Sequence, residues 1–130
     1  MKLEMSEKLC FCGSQQTFSN CCELYIKGVQ IAPSAVALMR SRYSAYVLQE
    51  ADYLMSTTHI STRKNHSKSD ILEWSKSNNW LRLEIINASE ANVEFKAYFL
   101  DEAFNANVHH EKSTFKLENG NWFYVDGKFY

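Results

Sequence analysis

NVEFKAYFL, residues 92–100, decides the fold, because apolar and polar side chains alternate along it. An alternation with a period of two places the apolar side chains on one face of a β-strand and the polar side chains on the other. The same alternation recurs at residues 80–86, and we interpret residues 106–117 and 121–125 as two further strands. We therefore predict a sheet of four strands in the second half of the chain.

Turn-forming residues separate these strands. The stretches at residues 87–90 and 118–121 are rich in Asn, Ser and Gly, and an Asn-Gly pair is the strongest short hairpin signal. Such short connections join antiparallel neighbours, so the predicted sheet is antiparallel. The Asp126-Gly127 pair resembles the other turns, and we expect a further turn to begin there.

Helical periodicity fills the chain before the sheet. Apolar side chains recur three and four positions apart across residues 33–47, and residues 51–58 predict a second, shorter helix. Residues 59–68 are polar and predict a loop, after which Ser69 or Asp70 supplies the start of a third helix. A run of helices followed by a run of strands indicates an α+β fold with the helices packed on one face of the sheet.

All four cysteines lie in one short segment, and the 108 residues after it have none. Cys10, Cys12, Cys21 and Cys22 follow the spacing C-x-C-x8-C-C, which offers two close pairs of thiolates to a tetrahedral Zn²⁺ ion. The alternatives are two disulfides or four unligated thiols, although adjacent cysteines rarely bond to each other. Four sulfur ligands leave no position for water, so the predicted zinc site is structural.

Composition and charge exclude several classes of protein. A chain of 130 residues with 45% apolar residues is sufficient for one domain with its own core. The formal net charge is −1, and it moves to −3 if four thiolates bind Zn²⁺, which argues against nucleic acid as a partner. The sequence has no apolar run of about 18 residues, and residues 1–9 lack the apolar centre of a secretory signal. We expect a cytoplasmic protein that does not bind membranes.

The residues around the cysteines resemble a known motif. CFCGS at residues 10–14, followed by the pair at 21–22, resembles the SEC-C motif, a short zinc-binding segment. This sequence has Phe11 where the motif usually has Pro, and Gln15 where it usually has Gly, and neither departure affects a cysteine.

The resemblance extends over nearly the whole chain from Cys10. The string ALMRSRYSAY at residues 37–46 is its most specific part. Shorter matches follow at 52–54, 59–63, 110–115 and 120–127, and together these stretches resemble the bacterial YchJ family.

This resemblance implies a fold and a division of the chain. It implies an N-terminal SEC-C segment over residues 1–30 and a nuclear transport factor 2-like domain over residues 31–130, in which helices pack into a curved antiparallel sheet. Such a domain has the shape of a cone with a pocket inside. The fold hosts enzymes and plain binding modules alike, so it carries no activity over to this chain.

Four side chains are candidates for lining a pocket in the cone: Arg42, His59, Tyr98 and His110. Arg42 is suited to hold an anion, or alternatively to pair with a carboxylate of the sheet and fix its helix. His59 is suited to the mouth of a pocket, or alternatively to capping the loop that follows it. His110 and Glu111 are adjacent in a strand, so they point to opposite faces unless a bulge intervenes.

These observations favour a non-catalytic, zinc-binding adaptor that uses the SEC-C segment to contact a protein partner, and no residue is assigned to catalysis. The alternative is a small-molecule binding protein or an enzyme that uses the cone-shaped pocket. A pocket with convergent polar groups of shifted ionisation would favour the alternative. A filled cone beside an exposed apolar patch on the SEC-C segment would favour the adaptor.

Overall fold

The computed structural model describes residues 7–130 of the chain. Residues 1–6 include most of the stretch for which we predict no secretory signal, and they form the start of the expected SEC-C segment over residues 1–30. They lie outside the described residues. The helices are α1 (Cys22–Ile26), α2 (Ala35–Val47), α3 (Ala51–Ser56), α4 (Ile60–Arg63) and α5 (Lys68–Ser77). The strands are β1 (Asn79–Ala88), β2 (Asn92–Leu100), β3 (Ala106–Glu118) and β4 (Asn121–Phe129).

The four strands form one antiparallel sheet in the order β1-β2-β3-β4, so each strand pairs with its neighbour in sequence. Asn119 and Gly120 both have positive φ, of 51° and 82°, and join β3 to β4. This is the turn conformation that an Asn-Gly pair favours, because its twist matches that of the flanking strands. The predicted α+β fold, with helices followed by an antiparallel sheet, is confirmed.

Helix α2 packs across the sheet and forms the main core with it. Ser34 caps its N-terminus, where the Ser34 side chain accepts a hydrogen bond of 3.1 Å from the Ala37 N–H. The buried apolar side chains shared by helix and sheet are Leu38, Met39, Tyr43, Val93, Phe95, Ala97 and Phe115. The residues of β2 in this core are the inward set of the alternation that the sequence shows.

Three local predictions differ from the structure. Helix α4 forms within the predicted loop, where His59 caps its N-terminus. Helix α5 begins at Lys68 with Ser67 as its cap, two residues before the predicted start. No turn interrupts β4 at Gly127, which pairs with Ser113 inside the sheet. Among residues 7–130, none of the helices combines the length and the apolar character needed to cross a bilayer.

Candidate functional site

The four cysteine sulfur atoms form a compact cluster. All four lie within 4.8 Å of one another, with Cys12 Sγ 3.7 Å from Cys21 Sγ and Cys21 Sγ 3.9 Å from Cys22 Sγ. A regular tetrahedron around Zn²⁺ has sulfur–sulfur edges of about 3.8 Å when each Zn–S bond is about 2.3 Å. The four cysteines are free thiols, which contradicts the alternative of two disulfides. The geometry and the donor set therefore fit a four-thiolate metal site.

Local backbone geometry brings the two cysteine pairs together. Gly13 has a φ of 83°, which lets the chain reverse directly after Cys12. The N–H of Cys10 then donates a 2.8 Å hydrogen bond to the carbonyl of Gln16, and this bond closes the turn. A short 3-10 turn at Phe18–Asn20 leads into α1, whose first residue is Cys22.

Without a cation the thiols of this cluster do not ionise together. Hydrogen bonds from the Cys10 and Cys22 thiols lower the pKa of Cys12, which favours one thiolate. Hydrogen bonds with Cys10 and Cys12 raise the pKa of Cys22, and burial raises the pKa of Cys21 to about 11. A divalent cation supplies the positive charge that four thiolates at this spacing require.

The cysteine cluster is attached to the outer side of α2. Arg40 Nη1 donates a 2.7 Å hydrogen bond to the carbonyl oxygen of Cys12, and Cys10 Sγ lies 3.6 Å from Ser44 Oγ. Arg40 and Ser44 are four residues apart and therefore share one face of the helix. The cluster therefore holds α2 by the helix face that carries Arg40 and Ser44.

A cavity of about 280 Å³ lies between α2, α5 and the sheet, and we call it the cone cavity. Its apolar wall is mostly aromatic and includes Tyr43, Tyr46, Trp74, Trp80, Phe95 and Phe129. The rings of Trp74 and Trp80 pack edge to face with centroids 4.9 Å apart. Trp74 and Phe129 are also exposed to solvent, so they mark the opening of the cavity.

Glu111 is the central polar residue of the cone cavity, and only 5% of it is exposed. Its Oε1 accepts a 2.7 Å hydrogen bond from His109 Nε2, and its Oε2 accepts from Ser113 Oγ at 2.6 Å and from the Tyr124 hydroxyl at 2.9 Å. Burial acts to raise the pKa of Glu111, but these hydrogen bonds outweigh it and the pKa is lowered. Glu111 is therefore a buried carboxylate that stays ionised at neutral pH.

Arg42 lies on the opposite side of Tyr124 and is also only 5% exposed. Its Nη1 donates to the Leu54 carbonyl at 2.9 Å and to the hydroxyls of Thr57 at 2.6 Å and Thr58 at 3.4 Å. Its Cζ lies 4.5 Å from the centroid of the Tyr124 ring. Within residues 7–130 no carboxylate comes within 4.0 Å of this guanidinium, so the prediction of an ion pair with the sheet is wrong.

The ionisation of two other cavity residues follows from their surroundings. Burial and the nearby Glu111 carboxylate raise the pKa of Tyr124, which therefore remains a hydrogen-bond donor. Burial and the positive charge of Arg42 lower the pKa of His66, which keeps its imidazole neutral at pH 7.

Of the four pocket residues suggested by the sequence, only Arg42 lines the cone cavity. His59 is the N-cap of α4, where its Nδ1 accepts from the Ser61 N–H at 3.1 Å while its Nε2 contacts Glu118. His59 therefore caps the segment that follows it, as the alternative stated, and it lines a surface groove that is separate from the cone cavity.

Tyr98 and His110 lie outside the cone cavity. The Tyr98 hydroxyl donates to Glu84 at 2.8 Å, and His110 Nε2 lies 2.8 Å from a carboxylate oxygen of Glu94. Both side chains therefore find their polar partners on neighbouring strands and do not reach the cavity. The polar residues of the sheet that line the cavity, and that were not among the four candidates from the sequence, are His109, Glu111, Ser113 and Tyr124.

The signal that locates the three missed residues of β3 is the alternation within that strand. Phe115 belongs to the inward set of the strand, and counting back by two gives Ser113, Glu111 and His109 on the same face. His110 falls in the other set.

The fold and the two sites define the class: a nuclear transport factor 2-like domain that carries a SEC-C type cysteine cluster at its N-terminal side. Residues 34–127 match the family described as "YchJ, middle NTF2-like domain". The chain is 39% identical over 127 residues to a UPF0225 protein of Photorhabdus laumondii, covering 92% of this chain and 80% of that protein. It is 40% identical over 126 residues to a UPF0225 protein of Vibrio vulnificus, covering 92% and 74%. The chain belongs to the YchJ family.

Two solved structures share this architecture over nearly the full chain. One is the solution structure of a SEC-C motif containing protein from Rhodopseudomonas palustris, with a TM-score of 0.85, 32% identity, and coverage of 92% of this chain and 96% of that one. The other is the crystal structure of a SEC-C motif containing protein from Psychrobacter arcticus, with a TM-score of 0.82, 31% identity, and coverage of 94% and 82%. Both proteins are described as containing a SEC-C motif.

Proposed function

We propose that this protein binds a small molecule in the cone cavity and that the four-cysteine cluster holds a structural Zn²⁺ ion. The observation that carries the first part is the pair of buried charges, Arg42 and Glu111, on the wall of a cavity of about 280 Å³. Burying a charge is unfavourable unless partners compensate for it, and an apolar core of the same shape is more stable. Two such charges beside an open volume are typical of a binding site.

The zinc site has a supporting part in this proposal. Cys10, Cys12, Cys21 and Cys22 would hold the ion, and four thiolates leave no coordination position for water or substrate. Arg40 and Ser44 link the cluster to one face of α2, while Arg42 and Tyr46 face the cavity from the same helix. The ion thus stabilises the helix that carries part of the ligand site.

Filling the cavity tests the binding function. Ala97 is buried on β2 and lines the cavity, so Ala97→Leu places three additional carbon atoms in the ligand volume. Lys96→Leu introduces the same side chain on the opposite face of the strand and serves as the matched control. The probe is benzamide, a neutral one-ring molecule, and the readout is the NMR shift of the indole N–H groups of Trp74 and Trp80.

We expect benzamide to shift both cavity indoles in the wild type and in Lys96→Leu but not in Ala97→Leu. Trp122 lies outside the cone cavity and supplies an internal reference. Equal shifts in both variants would contradict binding in the cavity. If neither benzamide nor benzoate shifts the cavity indoles of the wild-type protein, the proposed binding function is wrong.

The adaptor function is a second proposal, supported by apolar exposure in and just after the cysteine segment. Leu9, Val29 and Ile31 are 65%, 68% and 64% exposed. An adaptor would lose its protein partner when these side chains are replaced by serine or when the metal is chelated, and would keep it in Ala97→Leu. Pull-down with the full chain measures this, and a partner retained by the serine variants would contradict the proposal.

A further inference from the structure

We infer that the ligand of the cone cavity carries a carboxylate, which Arg42 binds through two parallel hydrogen bonds, on an apolar body of one or two rings. This inference rests on the proposed binding function and names the class of its ligand. It starts from Arg42, a cation in the cavity wall whose donors are incompletely used by the part of the chain that the structure describes.

The hydrogen bonds of Arg42 involve one edge of its guanidinium. All three are made by Nη1, to Leu54, Thr57 and Thr58, and the acceptors are neutral oxygens. The Nε–H and Nη2–H groups, which point in parallel along the other edge, have no acceptor among residues 7–130. This edge is the one that receives a carboxylate in a bidentate pair.

The unused edge is open to a ligand rather than sealed in the core. In the described part of the chain, no fully buried side-chain nitrogen or oxygen lacks a hydrogen-bond partner. The Nε and Nη2 atoms of Arg42 are therefore not fully buried, and Arg42 lines the cone cavity, so we assign this edge to the ligand. A buried cation with free donors and no carboxylate nearby favours an anion that supplies both the charge and the acceptors.

Glu111 does not compete for this role and does not select a cationic ligand. Its two carboxylate oxygens already accept three hydrogen bonds, from His109, Ser113 and Tyr124. Tyr124 separates the two charges, since its hydroxyl donates to Glu111 while its ring contacts the guanidinium of Arg42. An ammonium group in the cavity would meet carboxylate oxygens that are both already hydrogen-bonded, and it would lie near the positive charge of Arg42.

A second donor lies on the same helix face as Arg42. Tyr46 is four residues further along α2 and lines the same cavity, and its hydroxyl makes no hydrogen bond within the described chain. Burial raises the pKa of Tyr46, so the hydroxyl keeps its proton. It is therefore available to donate to an oxygen of the headgroup.

The size and lining of the cavity define the rest of the ligand. A volume of about 280 Å³ is at the small end of ligand pockets, which typically span about 300–1,000 Å³. The rings of Trp74, Trp80 and Phe95 surround this volume. They suit a flat apolar body of one or two rings, because offset and edge-to-face contacts between rings are favourable.

Benzoate and benzamide test the inference, because they share size and shape and differ in charge. With the wild-type protein as purified, we expect benzoate to bind about tenfold more tightly than benzamide, a difference of about 1.4 kcal/mol, because Arg42 pairs with both charged oxygens of benzoate but with only one neutral oxygen of benzamide. Arg42→Gln should abolish this preference, so that benzoate and benzamide bind with about equal affinity. Titration calorimetry and the indole shifts of Trp74 and Trp80 give the affinities.

Arg42 also anchors α2 to the end of α3, so a second measurement on the wild type keeps the test decisive even if Arg42→Gln does not fold. The Nε–H resonance of Arg42 should shift on addition of benzoate and stay in place on addition of benzamide. Benzamide binding as tightly as benzoate, or an unchanged Arg42 resonance at saturating benzoate, would overturn the carboxylate inference while leaving the binding function intact. Binding of neither probe would overturn the binding function itself.

Discussion

Gly127 and Glu111 face each other on adjacent strands so closely that no side chain fits at position 127. A β-carbon built on Gly127 would lie 2.6 Å from Cδ and 2.7 Å from Cγ of Glu111, which is closer than real contacts of this kind. Gly127 pairs with Ser113 in the middle of β4, so this glycine serves packing and not a turn. The absent side chain makes room for the buried carboxylate of the cone cavity.

Gly127→Ala should therefore destabilise the protein by about 1–3 kcal/mol, the usual effect of overpacking a core. The methyl group would displace Glu111 and disturb its hydrogen bonds with Ser113 and Tyr124. Chemical denaturation measures the loss in the free energy of unfolding. A double-mutant cycle with Glu111→Ala supplies the control, because removal of the carboxylate side chain should relieve most of the clash. A Gly127→Ala effect of the same size in both backgrounds would show that Glu111 is not its cause.

The position of Gly127 shows where sequence patterns lose information about this fold. Asp126-Gly127 has the composition of a turn. Nothing in the local sequence distinguishes a glycine in a turn from a glycine that leaves room for a side chain on the neighbouring strand, here that of Glu111. That distinction depends on the pairing of β3 with β4, which is a tertiary property. By contrast, Asn119-Gly120 was predictable as a hairpin because its preference for positive φ is local.

Replacing Glu111 by glutamine should destabilise the protein in a pH-dependent way. The folded-state pKa of Glu111 lies below its ordinary value of 4.5, so the carboxylate contributes its full stabilisation above pH 4.5 and loses it as the pH falls through the lowered pKa. We expect Glu111→Gln to cost about 1–3 kcal/mol at pH 7, because one carboxylate oxygen that accepts hydrogen bonds becomes an amide donor.

The difference in unfolding free energy between the wild type and Glu111→Gln should shrink as the pH is lowered below 4.5. Glu94→Gln is the control, since this partly exposed carboxylate contacts His110 on the outer face of the sheet. Thermal unfolding at a series of pH values gives the comparison. A difference for Glu111→Gln that is independent of pH would show that folding does not lower the pKa of Glu111.

Replacement by alanine should destabilise the protein much more at His109 than at the adjacent His110 of β3. His109→Ala removes a donor to the buried carboxylate of Glu111 and should cost about 1–3 kcal/mol. His110→Ala removes a partly exposed contact with Glu94 and should change stability by less than about 1 kcal/mol. Denaturant titration of the two variants checks the contrast. Similar losses for both would contradict the assignment of the two side chains to opposite faces.

The histidines also show how far the candidate site could be predicted. The rule that neighbours in a strand face opposite sides separates His110 from Glu111, but it does not state which of the two points inward. Phe115 decides the question, because it is the large apolar residue of the set that contains Glu111, and large apolar side chains face the core. The role of Tyr124 depends on the meeting of β4 with β3 and α2, and it could not be predicted from any local pattern.

The cysteine cluster was the part of the structure most accessible to prediction. The ligands come from residues 10–22, and short loops around Gly13 and the 3-10 turn at Phe18–Asn20 bring them together, so the geometry is largely local. The attachment of the cluster to Arg40 on α2 was not predictable in the same way. It joins residues 28 positions apart, and the sequence gives no sign that a carbonyl in one segment requires a cation from another.

Removal of the metal should loosen the cysteine segment and leave the sheet intact. The purified protein should contain about one Zn²⁺ per chain by elemental analysis. Chelation or Cys21→Ala should increase hydrogen exchange across residues 10–28, because this segment has too small a core of its own to fold without the ion. The amides that pair β2 with β3 should keep their protection, since none of the cysteines contacts that part of the sheet core. Ser19→Ala changes the same loop without touching a ligand and should retain both the zinc and the protection. A metal-free protein in which residues 10–28 remain as protected as before would show that the four thiols close this segment without a metal, and the structural role of zinc would have to be abandoned.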